Sequence, residues 1–345
     1  MNETGQRIDA GGIGMKVFLP TQHSLHHPLM DYSDGLPPFE HLEKPDRVDG
    51  VLEGLRRVGL VDHIAVQDMA HDAVAELHDA DYVDFLEAIT AELAEGDHYI
   101  PSLFHHDLAD APIRFQGGRY CNEIGTPIGA GTLKAALNSA AAAQAAAEYT
   151  AKTDGDSFAL CRPPGHHAGR RRYGGYCFFN NAYVAARILS KAGHAPVVLD
   201  IDYHIGDGSI EFADEAAPYV SLHADTVTTY PYLGSLPERP AAQVSLINLK
   251  EGIDVGGYIN QLIAVLETIS KTGSQLVLSL GFDLLADDFI QDVPTSIQAA
   301  DFEPIGAAIG KLKMPVTMVL EGGYNKDRLA DCTQAFFTGF MPTRG

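Results

Sequence analysis

The chain has 345 residues, 46% hydrophobic and 20% charged, the balance of a globular protein with a sizeable core. Its 46 Asp and Glu against 24 Lys and Arg give a formal charge of −22, which excludes a nucleic-acid partner that would need a basic face. No apolar run reaches the ~20 residues of a bilayer span, so no membrane partner is expected. Cys121, Cys161, Cys177 and Cys332 lie far apart with no CxxC pairing, against a disulfide scaffold or thiolate zinc site and in keeping with a cytoplasmic location.

The opening "MNETGQRIDAGGIG" lacks a basic region followed by an apolar one, so no secretory signal is expected. Residues 1–15 read as a flexible lead-in and 16–345 as a single domain. The adjacent histidines His26–His27 and His105–His106 read as surface positions. From about 95 to 130 the sequence has no clear period, and a loop of that length inside a domain is commonly functional. It is expected to cover a site, build an oligomer contact, or both.

From about residue 128 helical and strand patterns alternate. "GTLKAALNSAAAAQAAAEYTAK" is a helix and "SFALCRPPG" a strand stopped by two prolines. "NNAYVAARILSKAG" is a helix ending at Gly193, followed by the apolar strand "APVVLDID". "YVSLHAD" and "QLVLSLGFD" are strands around the helix "GGYINQLIAVLETISKTG"; the helix "FEPIGAAIGKLK" and the strand "PVTMVLEGGYN" follow. Strands that are apolar throughout and separated by helices imply an α/β fold, a mostly parallel sheet flanked by helices on both faces.

Polar residues cluster just past these strands: His166 and His167, Asp200, Asp202 and His204, His223 and Asp225, Asp283, and Tyr324. Open α/β sheets bind ligands beyond the carboxyl ends of their strands, so one rim is the expected active site. Asp202 and His204 alternate on what reads as extended chain and would share a side. A carboxylate beside an imidazole at a buried strand end calls for a counter-charge, and an oxygen/nitrogen set suits Zn²⁺ or Fe²⁺. Asp283 is the best third ligand, and three protein ligands leave the open positions a catalytic metal needs. His166–His167 sit behind a rigid Pro-Pro-Gly turn and suit proton transfer near neutral pH. Tyr324, after two glycines, suits donation to an oxyanion.

"RPPGHHA", "GGYCFFNNA", "LDIDYHIGDG", "SLH", "SLGFD" and "EGGYN", with "LHDADYVDFL" upstream, resemble the histone deacetylase superfamily in identity and order over about residues 16–340. "YCNEIGTPIGAGT" and the long segment before it look most like its bacterial acetylpolyamine amidohydrolases. The resemblance implies an arginase/deacetylase-like fold with Zn²⁺ on Asp202, His204 and Asp283. It implies His167 as general base and acid oriented by Asp207, His166 paired with Asp200, and Tyr324 on the substrate carbonyl. Gly175 and Tyr176 would line a channel opposite Tyr230 or Tyr232, and Glu123 is a candidate for recognising the substrate amine. Asp200, Asp202, His204, Ser221 and Leu222 match a structural K⁺ site. The family's second His after the metal-binding pair is Ile205 here, which is not a ligand position.

The implied reaction is hydrolysis of a small cationic acetylated amine, acetylputrescine or acetylcadaverine, by a homodimer. Its rivals are an acetyl-lysine protein deacetylase and a regulator that binds acetylated ligands without turnover. A two-metal, arginase-type site would need further DxHxD-like clusters, and the sequence has none.

Overall fold

A computed structural model describes residues 14–32, 37–104 and 107–344. Most of the expected lead-in, and the pair His105–His106, therefore lie outside the described residues. Eight parallel strands form the main sheet. In chain order they are β1 (Lys16–Pro20), β2 (His63–Val66), β3 (Ser157–Ala159), β4 (Pro196–Asp200), β5 (Tyr219–His223), β6 (Val244–Asn248), β7 (Gln275–Leu280) and β8 (Val316–Leu320). Across the sheet the order is β6-β5-β4-β7-β8-β3-β1-β2.

Alternate residues of one strand supply opposite faces. Val197 and Leu199 of β4, with Leu276, Leu278 and Leu280 of β7, join one core. That core is closed by α1 (Asp46–Arg57), α7 (Val255–Thr272), α8 (Phe302–Gly310) and α9 (Lys326–Phe340). Val198 and Val277 face the other core, under α2 (His71–Leu77), α3 (Ala80–Glu92), α4 (Thr132–Thr153) and α5 (Asn181–Lys191). A short helix, α6 (Asp207–Ile210), follows β4 on the cavity side.

The alanine run of α4 is internal packing: Ala140, Ala142, Ala143, Ala146 and Ala147 are fully buried. Helix starts and stops follow local chemistry. The Asn180 side chain accepts from Tyr183 N–H at the start of α5, and Gly193 after its end has φ +90°.

The α/β alternation begins earlier than the sequence pattern indicates. β1, β2 and α1–α3 precede residue 128, and α9 and β6 also escape the periodicity argument. Interior glycines explain two of these. A Cβ on Gly54 of α1 would lie 2.5 Å from Thr333 Cβ of α9, and one on Gly339 of α9 would sit 1.9 Å from the Glu303 carbonyl oxygen of α8. Close helix packing selects residues that read as helix breakers.

Candidate active site

Asp200 is the last residue of β4, and the chain then curls instead of continuing as a strand. Asp202 N–H donates to Asp200 Oδ1 (3.1 Å) and His204 N–H to Asp202 Oδ1 (2.9 Å). These two side-chain turns bring Asp202 and His204 together, so strand alternation is not the cause. Asp283 arrives from β7: His204 Nδ1 lies 3.4 Å from Asp202 Oδ1 and 3.3 Å from Asp283 Oδ2. Asp283 Oδ1 accepts from Tyr203 N–H (3.1 Å) and Asp202 Oδ2 from Gly322 N–H (2.8 Å). Among the described residues, none donates a hydrogen bond to the buried Asp283 Oδ2.

Two glycines make room for these carboxylates. A Cβ at Gly281 would meet Asp202 Oδ2 at 2.4 Å, and one at Gly322 would meet Asp283 Oδ2 at 2.4 Å. Burial, then the charge of Asp202, pushes Asp283 up to about 7. Against burial, the two carboxylates raise His204 to about 9. Ligand atoms of all three residues lie within 4.8 Å of one another. An orphaned buried oxygen and protons held where a cation would relieve the charge fit a divalent metal on an O,O,N set. His166, Cys177 and Glu321 also gather within that distance, but they form a hydrogen-bonded brace. Glu321 Oε2 accepts from Gly165 N–H (2.7 Å) and His166 N–H (3.1 Å), and burial keeps the Cys177 thiol protonated.

The paired histidines split electrostatically. His166 Nδ1 lies 3.1 Å from Asp200 Oδ2, and against burial the charges of Asp202 and Asp200 hold the ring well above its usual range. His167 Nδ1 lies 2.7 Å from Asp207 Oδ1, yet burial and the charge of His166 lower it to about 4. Neighbouring imidazoles pushed apart in this way take different roles. His167 stays neutral with Nε2 left for the cavity.

Tyr324 sits 4.5 Å beneath the guanidinium of the buried Arg47. Arg47 also donates to the carbonyls of Gly323 (2.6 Å) and Glu321 (2.5 Å) and pairs with Glu43 (2.9 Å). Burial keeps the Tyr324 hydroxyl well above its ordinary pKa, and so a donor.

His167, His204, Gly175, Tyr176, Tyr230, Tyr232, Ile290, Tyr324, Asp31, Glu123, Gly125 and Asp292 line a cavity of about 550 Å³ including its open mouth. The Tyr230 ring stands edge-on to His167 at 4.9 Å, and Tyr176 packs on Tyr324 at 5.5 Å. Tyr176 (φ +66°) and Tyr232 (φ +56°) hold left-handed backbone. A Cβ on Gly175 would strike His167 Cδ2 at 2.3 Å, which explains the glycine.

Other expected positions fall elsewhere. Glu123 reaches the cavity, but its carboxylate braces the wall, accepting from Gly125 N–H, the Thr126 hydroxyl and Gly175 N–H. His223 is buried against Ser221 Oγ (3.0 Å), and Asp225 caps the following turn through Val227 N–H (2.8 Å). Neither lines the cavity. Asp200 stands opposite Ser221 in the β4–β5 register, behind the floor. Ile205 is buried in the second core. His26, read as a surface residue, is buried on Thr132 Oγ1 (2.8 Å).

Supporting residues that the sequence does not single out include Arg47, Asp288 and His78. Asp288 Oδ2 accepts from Tyr324 N–H (2.7 Å) and Asn325 N–H (3.0 Å). His78, inside "LHDADYVDFL", bridges the Gly169 carbonyl (2.8 Å) and Asn180 N–H (3.1 Å), so it steadies the loop after His167. That motif was legible as a resemblance, without a mechanical role.

Residues 41–340 match the histone deacetylase domain. The acetylpolyamine amidohydrolase of Mycoplana ramosa is 32% identical over 90% of this chain and 95% of its own. That of Burkholderia pseudomallei is 32% identical over 96% of this chain and all of its own. A crystal structure of acetylpolyamine aminohydrolase from Burkholderia pseudomallei superposes with a TM-score of 0.88 at 30% identity, covering 96% of this chain and all of that one. The HDA15 HD domain shares the fold, with a TM-score of 0.73 at 23% identity over 94% of this chain and 88% of that one. The family match over most of the chain, the identities and the shared helix-flanked parallel sheet place it: the chain belongs to the histone deacetylase family and is a hydrolase that acts on amides.

Proposed function

We propose that the protein removes acetyl groups from small N-acetylated diamines and polyamines such as acetylputrescine or acetylcadaverine, with Zn²⁺ (or Fe²⁺) as its metal. The observation that carries this reading is the cavity lining. It combines four tyrosines with the carboxylates Asp31, Glu123 and Asp292, and no lysine or arginine among the described lining residues. Such a passage admits a thin aliphatic chain and favours a positive charge at its far end. The names of the relatives point the same way.

Asp202, His204 and Asp283 would hold the metal, which supplies Lewis acidity toward the amide carbonyl and the attacking water. The chain's own residues do the rest. The hydroxyl of Tyr324 donates to the carbonyl oxygen as negative charge develops there. His167, its Nδ1 anchored on Asp207, takes the water proton at Nε2 and returns it to the departing amine. His166 keeps positive charge beside the reaction. Gly175, Tyr176 and Tyr230 hold the alkyl chain and exclude water.

Asp31 is buried and accepts from the Tyr176 hydroxyl (2.7 Å), and Glu123 braces the wall; Asp292, which accepts from Tyr230 N–H and the Tyr232 hydroxyl, is the exposed carboxylate of the rim and the residue we assign to the distal ammonium. Asp200, Ser221 and Leu222, with the Asp202 and His204 carbonyls, would hold K⁺ behind the floor. A homodimer is supported by Leu103, Phe104 and Phe115, large apolar side chains exposed on one loop. The test is turnover of acetylputrescine, acetylcadaverine and an acetyl-lysine peptide by zinc-loaded protein beside His167→Ala. Turnover of the small amines, abolished in the variant, is expected. Equal turnover of the peptide would reassign the enzyme to proteins, and no turnover would leave a binding protein.

A further inference from the structure

Asp207, which holds His167, is itself held. Its Oδ1 faces His167 Nδ1 at 2.7 Å, and its Oδ2 accepts from Arg172 Nη1 at 2.6 Å. The other arm of the same guanidinium donates to Glu211 Oε1 at 3.0 Å. Asp207 is the first residue of α6 and Glu211 the residue after its end, so one side chain clamps both ends of the helix that carries the carboxylate. The clamp is anchored on its own side. Gly169 N–H donates to the Arg172 carbonyl (2.9 Å), and Arg170 N–H donates to Glu211 Oε2 (2.9 Å). Two residues further on, the same strand of chain forms the Gly174–Gly175 wall that closes over the His167 ring.

We propose that Arg172 is a positioning residue for His167, acting through Asp207; the proposal rests on the hydrolytic role given to His167 above. Asp207 is 8% exposed, so its second oxygen, left without a donor, would be an unsatisfied buried acceptor. The carboxylate would then turn toward water and tilt away from the imidazole. With both oxygens tied, His167 is confined to one ring orientation and to the tautomer with the proton on Nδ1. That presents Nε2 to the water and then to the leaving amine. A guanidinium suits this task because its donors lie in one rigid plane. The adjacent Arg171 is a built-in control: it points outward to Asp81 of α3 and lies over the Tyr120 ring, away from Asp207.

The experiment measures kcat and KM for acetylputrescine on zinc-loaded wild type and the variants Arg172→Met, Arg172→Lys and Arg171→Met. Melting temperatures and proton NMR of the downfield imidazole region accompany it. The His167 Nδ1–H resonance is assigned by its absence in His167→Ala. Arg172→Met is expected to lower kcat on the order of tenfold with KM within about twofold, as outer partners of reacting groups do. Its Nδ1–H resonance should shift upfield and broaden. Arg172→Lys should restore much of kcat, and Arg171→Met should leave kcat and the resonance alone. A wild-type kcat and an unmoved resonance in Arg172→Met would overturn the proposal, as would equal losses in Arg171→Met. If Arg172→Met does not fold, Arg172→Gln, too short to bridge Asp207 and Glu211, decides: a resonance identical to wild type and to Arg171→Met overturns the assignment, and a shifted one sustains it. If wild type turns over no acetylated amine, the proposed function fails while the resonance still decides the role of Arg172.

Discussion

The floor of the cavity and its rim are built in opposite ways. On the floor and just behind it, Asp202, Asp283, Asp200 and Glu321 are fully buried at the ends of adjacent strands and accept backbone or hydroxyl donors at fixed distances. At the rim, Tyr232 and Asp292 are exposed on loops; the Tyr232 hydroxyl donates to Asp292 Oδ1 at 3.3 Å, and Tyr230 N–H donates to Asp292 Oδ2 at 3.1 Å. Buried carboxylates held by such donors are rigid, and losing one partner is costly. Exposed loop contacts are replaceable at little cost. On the proposed function, chemistry sits on the sheet and selectivity sits on the loops.

That contrast breaks or survives first on the floor. Asp283→Ala should abolish turnover of every acetylated substrate and remove bound metal. Tyr324→Phe should keep the metal and the fold and lower kcat about 10²–10³-fold, the usual loss of one oxyanion donor. Steady-state kinetics with metal analysis of the purified variants checks both. A floor variant that lost one substrate and kept another would end the division of labour.

Much of the floor was legible because its residues are contiguous with strong strand signals. "VVLD", "LVLSLGFD" and "TMVLEGGYN" announce buried strands, and the polar residues that end each of them announce the floor. The curl that joins Asp202 to His204 was not legible, because side-chain turns leave no periodicity. Arg47, 276 residues from the Gly323 carbonyl it holds, gave no signal at all: a buried arginine in an amphipathic helix reads as a surface charge. Gly54 and Gly339 hid α1 and α9, since their reason lies in the helix packed against them. The rim was the least legible part. Glu123 reaches the cavity as expected, but only tertiary structure reveals that its oxygens are already committed to the wall.

A second prediction concerns the scaffold under the catalytic loop. His78 donates from Nδ1 to a carbonyl and accepts at Nε2 from Asn180 N–H, so it must be neutral. Burial lowers it from 6.5 to about 4. An unfolded imidazole takes up a proton near 6.5 and the folded one resists until about 4, so between these values the unfolded state binds more protons. The stability His78 contributes is complete above pH 6.5 and is lost as pH falls toward 4, by about 3 kcal/mol in all. Urea unfolding of wild type and His78→Gln at pH 7.5 and 4.5 measures it. The variant should start less stable and lose less over the interval, because glutamine can donate and accept without titrating. Equal losses would mean that other buried histidines, such as His223, carry the acid sensitivity.

The smallest expected effect lies at the rim, and it sharpens the comparison most. Asp292→Asn keeps the shape and the acceptor for Tyr230 N–H and the Tyr232 hydroxyl but removes one charge from an exposed carboxylate. An exposed ion pair contributes little, and a mouth half closed by two tyrosines raises that only modestly, so kcat/KM for acetylputrescine should fall about fivefold to tenfold. N-butylacetamide, the same chain without the ammonium, should lose nothing, and added salt should erase part of the difference for the charged substrate. Glu123→Gln should instead affect both substrates alike, because it loosens the wall through Gly125, Thr126 and Gly175. If Asp292→Asn slowed the neutral amide as much as the charged one, Asp292 would belong with the braces, and recognition of the amine would have to lie deeper, at Asp31.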